Sequence, residues 1–176
     1  MKIIGFVYHN DRTEMVLKGD SCLLNGNKPF FMPDWTQEFG VSKCLILRVS
    51  RLGKEIGMKF AGRYYDAVAC GADFEATRVL REAQAEGRPW TTALAFDYSL
   101  AIGEWIDKED TSATDLLHEE WMMSPEEAVA EASKVMTIRQ GDLIYIRHKG
   151  APVPVHKEQI LSEERDGKQL LYCKIK

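Results

Sequence analysis

The chain has 176 residues, 45% of them hydrophobic and 28% charged, which is the composition of an ordinary soluble globular domain. Its net charge of −4 offers no basic surface for nucleic acid or an acidic membrane, so we predict neither partner. No apolar run approaches the roughly 20 residues that span a bilayer, and the N-terminal stretch has no small-residue cleavage site. The sequence therefore predicts a single cytoplasmic domain over residues 1–176.

Cysteine and histidine residues are few and scattered along the chain. They form no Cys-x-x-Cys pair and no pair at helical ligand spacing, so neither a structural zinc site nor a disulfide framework is predicted. We expect buried free thiols at Cys22, Cys44, Cys70 and Cys173.

The first half of the chain has the pattern of a sheet. Short runs of β-favouring residues predict strands at 2–8, 21–24, 30–32 and 43–50, with a polar turn at 9–12. The mostly apolar run 65–74 predicts a central strand, and helical spacing follows over 77–86. Asp73 therefore lies where a strand leads into a helix. A carboxylate at such a place caps the helix more often than it binds a metal.

The second half of the chain predicts one further helix between strands. Residues 91–105 favour a strand with breaks, and 108–114 an exposed loop. The segment Ser124-Pro-Glu-Glu127 has the pattern of a capping box and predicts a helix start. A strand at 143–147 and a hairpin within 158–176 complete the chain. The predicted fold class is α+β, strand-rich, with two main helices.

Five segments, in this order, resemble blocks of one enzyme family. They are LNGNKPFFMPD (24–34), RVSRLGK (48–54), FAGRYYDAVACGADF (60–74), FDYSLAIG (96–103) and MTIRQGDLIY (136–145). Together they resemble the fumarylacetoacetate hydrolase family over most of the chain. The resemblance implies a mixed β-sheet roll or sandwich of the type found in the C-terminal domain of that family.

The resemblance also implies a metal site, which this chain retains only in part. Enzymes of the family bind Mg²⁺ or a similar ion through a Glu-x-Glu pair and a later aspartate, and activate dicarbonyl or keto-acid substrates. Asp73 matches the aspartate, but the Glu-x-Glu positions fall on Ser42 and Cys44. Hard cations prefer carboxylate oxygens, so this set is a poor site. We expect no cofactor, with Mg²⁺ or Mn²⁺ bound only if the family site persists. Zinc on Cys44, Asp73 and a histidine is an alternative.

Other family positions also depart from the pattern. The catalytic lysine of the family falls on Leu94, and the arginine that follows the metal aspartate falls on Thr77. The His…Glu acid–base pair falls on Asp11 and Glu14, which are the vestigial catalytic candidates. The substrate loop Thr-Gly-Thr-Pro is replaced by residues 146–150, and the segment before Asp20 is shorter, which predicts a truncated lid.

These losses together predict a divergent member of the family with a degenerate active site. We expect a pseudoenzyme without C–C hydrolase or decarboxylase activity that acts by binding or assembly, and the resemblance implies a homodimer. The alternative is a hydrolase or isomerase with a rebuilt site, in which Arg147, His148 and Lys149 hold a small anionic ligand. A basic run of this kind is more often a solvated turn. An ordinary family hydrolase would need another Glu-x-Glu pair, and Glu38 has no partner at that spacing.

Overall fold

The computed structural model describes residues 1–9 and 12–176. Its strands are β1 Ile3–His9, β2 Arg12–Lys18, β3 Leu23–Leu24, β4 Gly40–Val49, β5 Tyr65–Glu75, β6 Leu100–Ile102, β7 Ile106–Asp107, β8 Leu143–Arg147, β9 Val153–Pro154, β10 Ile160–Arg165 and β11 Lys168–Lys174. Its helices are α1 Met58–Ala61, α2 Thr77–Ala85, α3 Thr91–Leu94, α4 Thr111–Leu117 and α5 Pro125–Val135, and a 3₁₀ turn spans Asp20–Cys22. The predicted α+β class is confirmed.

Nine of these strands form one mixed sheet. Its main order is β2-β1-β8-β4-β5-β6-β3, with β7 beside β5 and β9 beside β4. The pairs β1–β8 and β3–β6 are parallel, and the other pairs are antiparallel. The hairpin β10–β11 stands apart as a second sheet, where the sequence predicts a hairpin. The long strands β4 and β5 lie at the centre because they are apolar along nearly their whole length.

The central strands bury side chains on both faces of the sheet. Leu45 and Leu47 of β4 belong to the larger apolar cluster, while Cys44 and Ile46 belong to a smaller cluster with Tyr145 of β8. This split follows from the two-residue period of a strand, which sends successive side chains to opposite faces. We call the face that carries Cys44 and Tyr145 the site face.

Helix α5 closes the other face and begins as the sequence predicts. Ser124 Oγ accepts a hydrogen bond from the Glu127 amide at 3.2 Å, and the Glu127 carboxylate accepts one from the Ser124 amide at 2.8 Å. Ala128, Val129 and Ala132 then point into the larger core. The capping box therefore sets the start of the helix that covers this face.

Several boundaries differ from the sequence prediction. Residues 30–32 form no strand, because Phe30 makes a single bridge to Ile175 and its ring stacks on Phe74 at 3.9 Å. Residues 91–94 are helical, and only Leu100–Ile102 of the predicted strand 91–105 pairs with β5. Packing of the aromatic and apolar side chains there overrides their β propensity.

Helix α4 and strand β2 are among the elements that the sequence prediction misses. Helix α4 replaces most of the predicted loop 108–114, and Asp110 caps it by accepting a hydrogen bond from the Ser112 amide at 2.9 Å. Strand β2 has too few apolar residues for a clear period, and its pairing with β1 decides its conformation. The predicted turn at 9–12 falls partly outside the described residues.

The four cysteines are free and buried, as predicted. Across residues 1–9 and 12–176, none of the helices has the length and apolarity that crossing a bilayer requires.

Candidate functional site

Strand register brings Asp73 beside two residues of a neighbouring strand, Ser42 and Cys44. Ser42 on β4 lies opposite Asp73 on β5, and Cys44 lies between Gly71 on β5 and Arg147 on β8. Because directly paired residues of neighbouring strands point to the same face, these side chains share the site face. The fold thus collects the positions that the resemblance singles out.

Asp73 is held there by two cationic side chains. Lys18 Nζ lies 2.8 Å from Asp73 Oδ1, and Arg147 Nε donates to Oδ2 at 2.7 Å. Arg147 Nη1 donates to Glu75 Oε2 at 2.6 Å. The four side chains are 0 to 7% exposed. Two carboxylates and two cations therefore form a buried network without net charge, and Asp73 does not cap helix α2.

Lys18 reaches this network from the end of β2. Its ammonium donates to the Leu94 carbonyl and, at 2.9 Å, to Ser99 Oγ. Its Nζ also lies 5.7 Å from the centre of the Tyr145 ring. The three donors of the ammonium thus find oxygen acceptors, which is the condition for burying a charged lysine.

Two glycines leave space for side chains of the site face. A Cβ on Gly5 would lie 2.0 Å from Tyr145 Cζ, so the tyrosine ring can cross β1 only at a glycine. A Cβ on Gly71 would lie 2.5 Å from Ile46 Cδ1 and 2.9 Å from Cys44 Sγ. The missing side chains therefore admit the large groups that line the site face.

Burial decides the protonation of the groups around Asp73. It raises the pKa of the Cys44 thiol well above its usual value, and the negative charge of Asp73 raises it further. The same two causes raise the pKa of Tyr145. Burial alone would lower the pKa of Arg147, but Asp73 and Glu75 outweigh it and raise that pKa. The thiol and phenol are therefore neutral at pH 7, while the guanidinium stays charged.

A divalent cation does not fit this set of groups. Both oxygens of Asp73 already face a cation, and the Ser42 hydroxyl is neutral. A thiol binds metal as the thiolate, which the raised pKa of Cys44 disfavours. In the part of the chain that the structure describes, no three His, Cys, Asp or Glu side chains lie close enough to hold a metal ion, so zinc gains no support either.

A pocket of about 260 Å³ lies against the Arg147–Glu75 pair. Apolar side chains form much of its wall, chiefly Val7, Leu80, Trp90 and Leu94. Arg147 Nη2 is buried and makes no hydrogen bond with any residue that the structure describes. Since Nε and Nη1 are engaged, this nitrogen is the remaining donor of Arg147, and because it is buried, a ligand in the pocket reaches it only if the side chain shifts.

The three residues of the basic run, Arg147, His148 and Lys149, do not all face this pocket. Arg147 points to the site face, but strand alternation turns His148 away, and its ring meets Trp121 at 5.6 Å between centroids. Lys149 is exposed, and its amide donates to the Glu120 carbonyl at 3.0 Å. The structure therefore separates Arg147 from His148 and Lys149.

Of the two vestigial catalytic candidates, Glu14 lies on β2. Glu14 is half-buried opposite Val7 and lines a second pocket of about 370 Å³, which Arg88 and Trp90 also line. Asp11 falls outside the described residues. Leu94 and Trp90 line both this second pocket and the pocket beside Arg147.

The sequence pattern does not identify two residues of the network, Lys18 and Glu75. Lys18 lies in a strand that the pattern does not predict, so nothing places it beside Asp73. Glu75 follows two residues after Asp73 on the same strand and lies outside the segments that carry the family resemblance. The two-residue spacing was the available signal, because it puts both carboxylates on one face.

Solved structures share this fold. A protein from Yersinia pestis CO92 that is assigned to the fumarylacetoacetate hydrolase family matches with a TM-score of 0.85 and 15% identity, over 99% of this chain and 92% of its own. Fumarylpyruvate hydrolase from Pseudomonas aeruginosa, in complex with Mn²⁺ and pyruvate, matches with a TM-score of 0.81 and 17% identity, over 99% of this chain and 88% of its own. The 5-carboxymethyl-2-hydroxymuconate delta-isomerase from Mycobacterium smegmatis matches with a TM-score of 0.80 and 18% identity, over 99% of this chain and 78% of its own.

The fold is therefore that of the fumarylacetoacetate hydrolase family, in agreement with the resemblance found in the sequence. No protein-family profile and no curated protein sequence matches the chain. At 15 to 18% identity, the likeness concerns the fold.

Proposed function

We propose that this protein binds a small organic anion without a metal ion and lacks the metal-dependent C–C bond hydrolase or decarboxylase activity of its fold relatives. One observation carries the proposal: both carboxylate oxygens of Asp73 are paired with cationic side chains of the chain itself. A divalent ion would have to displace Lys18 or Arg147, and the displaced cation would then stay buried without its pairing to Asp73. Such a displacement is costly.

The pocket beside Arg147 supplies the features of a binding site for an organic acid. Arg147 Nη2 carries hydrogen-bond donors of a charged group that no described residue accepts, and a shift of this side chain toward the pocket would let a carboxylate oxygen accept from them. Arg81, which is paired with Glu38, also lines the pocket, and among the described lining residues the one carboxylate, Glu75, is neutralised by Arg147. The apolar walls suit a compact hydrocarbon body, and the volume of about 260 Å³ limits the ligand to less than drug size.

The proposal is tested by titrating small monocarboxylates into the pure protein. We use acetate, pyruvate, benzoate and phenylacetate as probes, with calorimetry and the unfolding temperature as readouts. Benzoate or phenylacetate should bind more tightly than acetate because each fills the apolar wall. Failure of all four probes to bind would overturn the proposal.

Matched variants separate the pocket from the rest of the basic run. Arg147→Met should abolish binding, and Leu80→Trp should reduce it by filling the pocket without altering the charged network. His148→Gln and Lys149→Gln should bind as the wild type does, because neither side chain faces the pocket. Equal losses in all these variants would contradict the placement of the site.

A metal-free or rebuilt hydrolase or isomerase of a dicarbonyl or keto-acid substrate is the second candidate. The names of the fold relatives favour it, since they include a hydrolase and an isomerase. Lys18 is next to Leu94, the position of the family lysine, but it is fully buried and cannot touch a ligand without rearrangement. Turnover of an acylpyruvate or oxaloacetate that Glu14→Gln abolishes would favour this candidate over binding.

We also propose a homodimer, because family members usually dimerise. Light scattering on the pure protein tests it, and a mass of 20.0 kDa across the measured concentrations would reject it.

A further inference from the structure

We propose that oxygen atoms of Asp73, Leu94 and Ser99 form a site for a monovalent cation, which the chain fills with the ammonium of Lys18. Nζ lies 2.8 Å from Asp73 Oδ1, 2.9 Å from Ser99 Oγ and 3.4 Å from the Ser99 carbonyl, and it also donates to the Leu94 carbonyl. The surroundings of Nζ are thus a cage of oxygens from separate segments. Lys18 itself is the last residue of β2.

The charge of this cage matches one positive charge and no more. Asp73 supplies its only formal negative charge, and Arg147 already shares that carboxylate through Oδ2. The remaining oxygens are neutral carbonyls and a hydroxyl. Divalent hard cations require several carboxylates to offset the loss of their water, whereas a singly charged ion of ammonium size does not.

The hydroxyl of the cage is oriented for this purpose. Ser99 Oγ donates to the Leu94 carbonyl at 3.3 Å, which leaves its lone pairs free to accept from Lys18. Lys18 and Ser99 are both fully buried. A buried ammonium with a complete set of oxygen acceptors is a fixed part of the fold.

The position of the cation links it to the pocket. Leu94 ends helix α3 and lines the pocket, and its carbonyl binds Lys18. The cation thereby fixes α3 against β2 and β5. The fold would then need no soluble ion to hold this wall, which distinguishes the chain from a protein that recruits a divalent metal.

The test is chemical rescue in the absence of any organic acid, so that its result does not depend on whether the pocket binds one. Lys18→Ala should unfold at a lower urea concentration than the wild type. At constant ionic strength, NH₄⁺ or K⁺ should restore part of that loss with saturation, while tetramethylammonium should not. The wild type should not discriminate among these ions, and Lys18→Ala/Asp73→Asn should show no rescue.

Two results would overturn the proposal. One is a recovery of Lys18→Ala by Mn²⁺ or Mg²⁺ that exceeds the recovery by NH₄⁺ and K⁺. The other is no recovery by any of these ions. If Lys18→Ala does not fold, ¹⁵N-lysine NMR of the wild type decides: we expect one ammonium signal with slow proton exchange, and only rapidly exchanging lysines would reject the cage.

Discussion

Lys18 Nζ and Asp73 Oδ1 lie 2.8 Å apart, and neither side chain is exposed to solvent. A buried ion pair of this kind adds little net stability over an apolar pair, since desolvation offsets the attraction. Removing one partner is a different matter, because it leaves an uncompensated buried charge. The pair therefore makes the folded state sensitive to changes at either residue.

Asp73→Ala should destabilise the protein by about 3–5 kcal/mol, because it removes the carboxylate partner of buried Lys18 and one of the two carboxylates that pair with Arg147. Urea unfolding measures the change. Asp97→Ala, at an exposed carboxylate on the loop before β6, is the matched control and should change stability by less than about 0.5 kcal/mol. Equal effects of the two substitutions would contradict the buried network.

Glu75→Gln should have opposite effects on stability and on ligand binding. The substitution replaces the carboxylate that accepts from Arg147 Nη1 by a neutral amide, so the network is left with one excess positive charge. We expect lower stability and tighter binding of benzoate, by about 10-fold for 1.4 kcal/mol of added attraction. Calorimetry at low salt measures the affinity, and weaker binding in this variant would argue against a carboxylate on Arg147.

Gly5→Ala should destabilise the protein by at least about 1–3 kcal/mol, the usual cost of overpacking. The new Cβ would meet the Tyr145 ring at 2.0 Å, and the ring is fully buried. Gly19→Ala is the control, because nothing lies within 4 Å of its added Cβ. If both variants unfold at the wild-type urea concentration, the ring does not cross β1 as described.

Alkaline pH should destabilise the protein partly through Cys44. Burial and Asp73 raise the pKa of this thiol in the folded state, so the folded protein keeps a proton that the unfolded chain releases near pH 8.5. The contribution is fully present below that pH and is lost as pH rises above it. Between about pH 8 and pH 10, the free energy of unfolding of Cys44→Ala should therefore fall less steeply with pH than that of the wild type. Urea unfolding at each pH measures this slope.

An unchanged slope in Cys44→Ala would exclude this origin. Cys70 provides an internal comparison, because burial raises the pKa of its thiol to about 11. Cys70→Ala should also flatten the alkaline decline.

The sequence predicted the class of fold and the central strands because their signals are local. The capping box at Ser124 and the apolar run that became β5 need no tertiary information. The same holds for Asp73, whose place at the end of that run is set by the run itself. Its neighbours Ser42 and Cys44 follow from the resemblance, and strand register places them beside it.

The partners of Asp73 were not predictable in the same way. Lys18 lies 55 residues before Asp73 in a strand of mixed polarity, and only the pairing of β2 with β1 carries it to the site. The basic run 147–149 is contiguous in the sequence, but strand alternation divides it between two faces. Charge pairing across a sheet depends on register, which composition and local periodicity do not specify.

The most direct test of the account is calorimetric titration of Mn²⁺ into wild-type protein after treatment with EDTA. Because both oxygens of Asp73 face cationic side chains, we predict no saturable heat at millimolar Mn²⁺ and no change in unfolding temperature. Saturable Mn²⁺ binding that disappears in Asp73→Asn would contradict the account and restore a metal-dependent site.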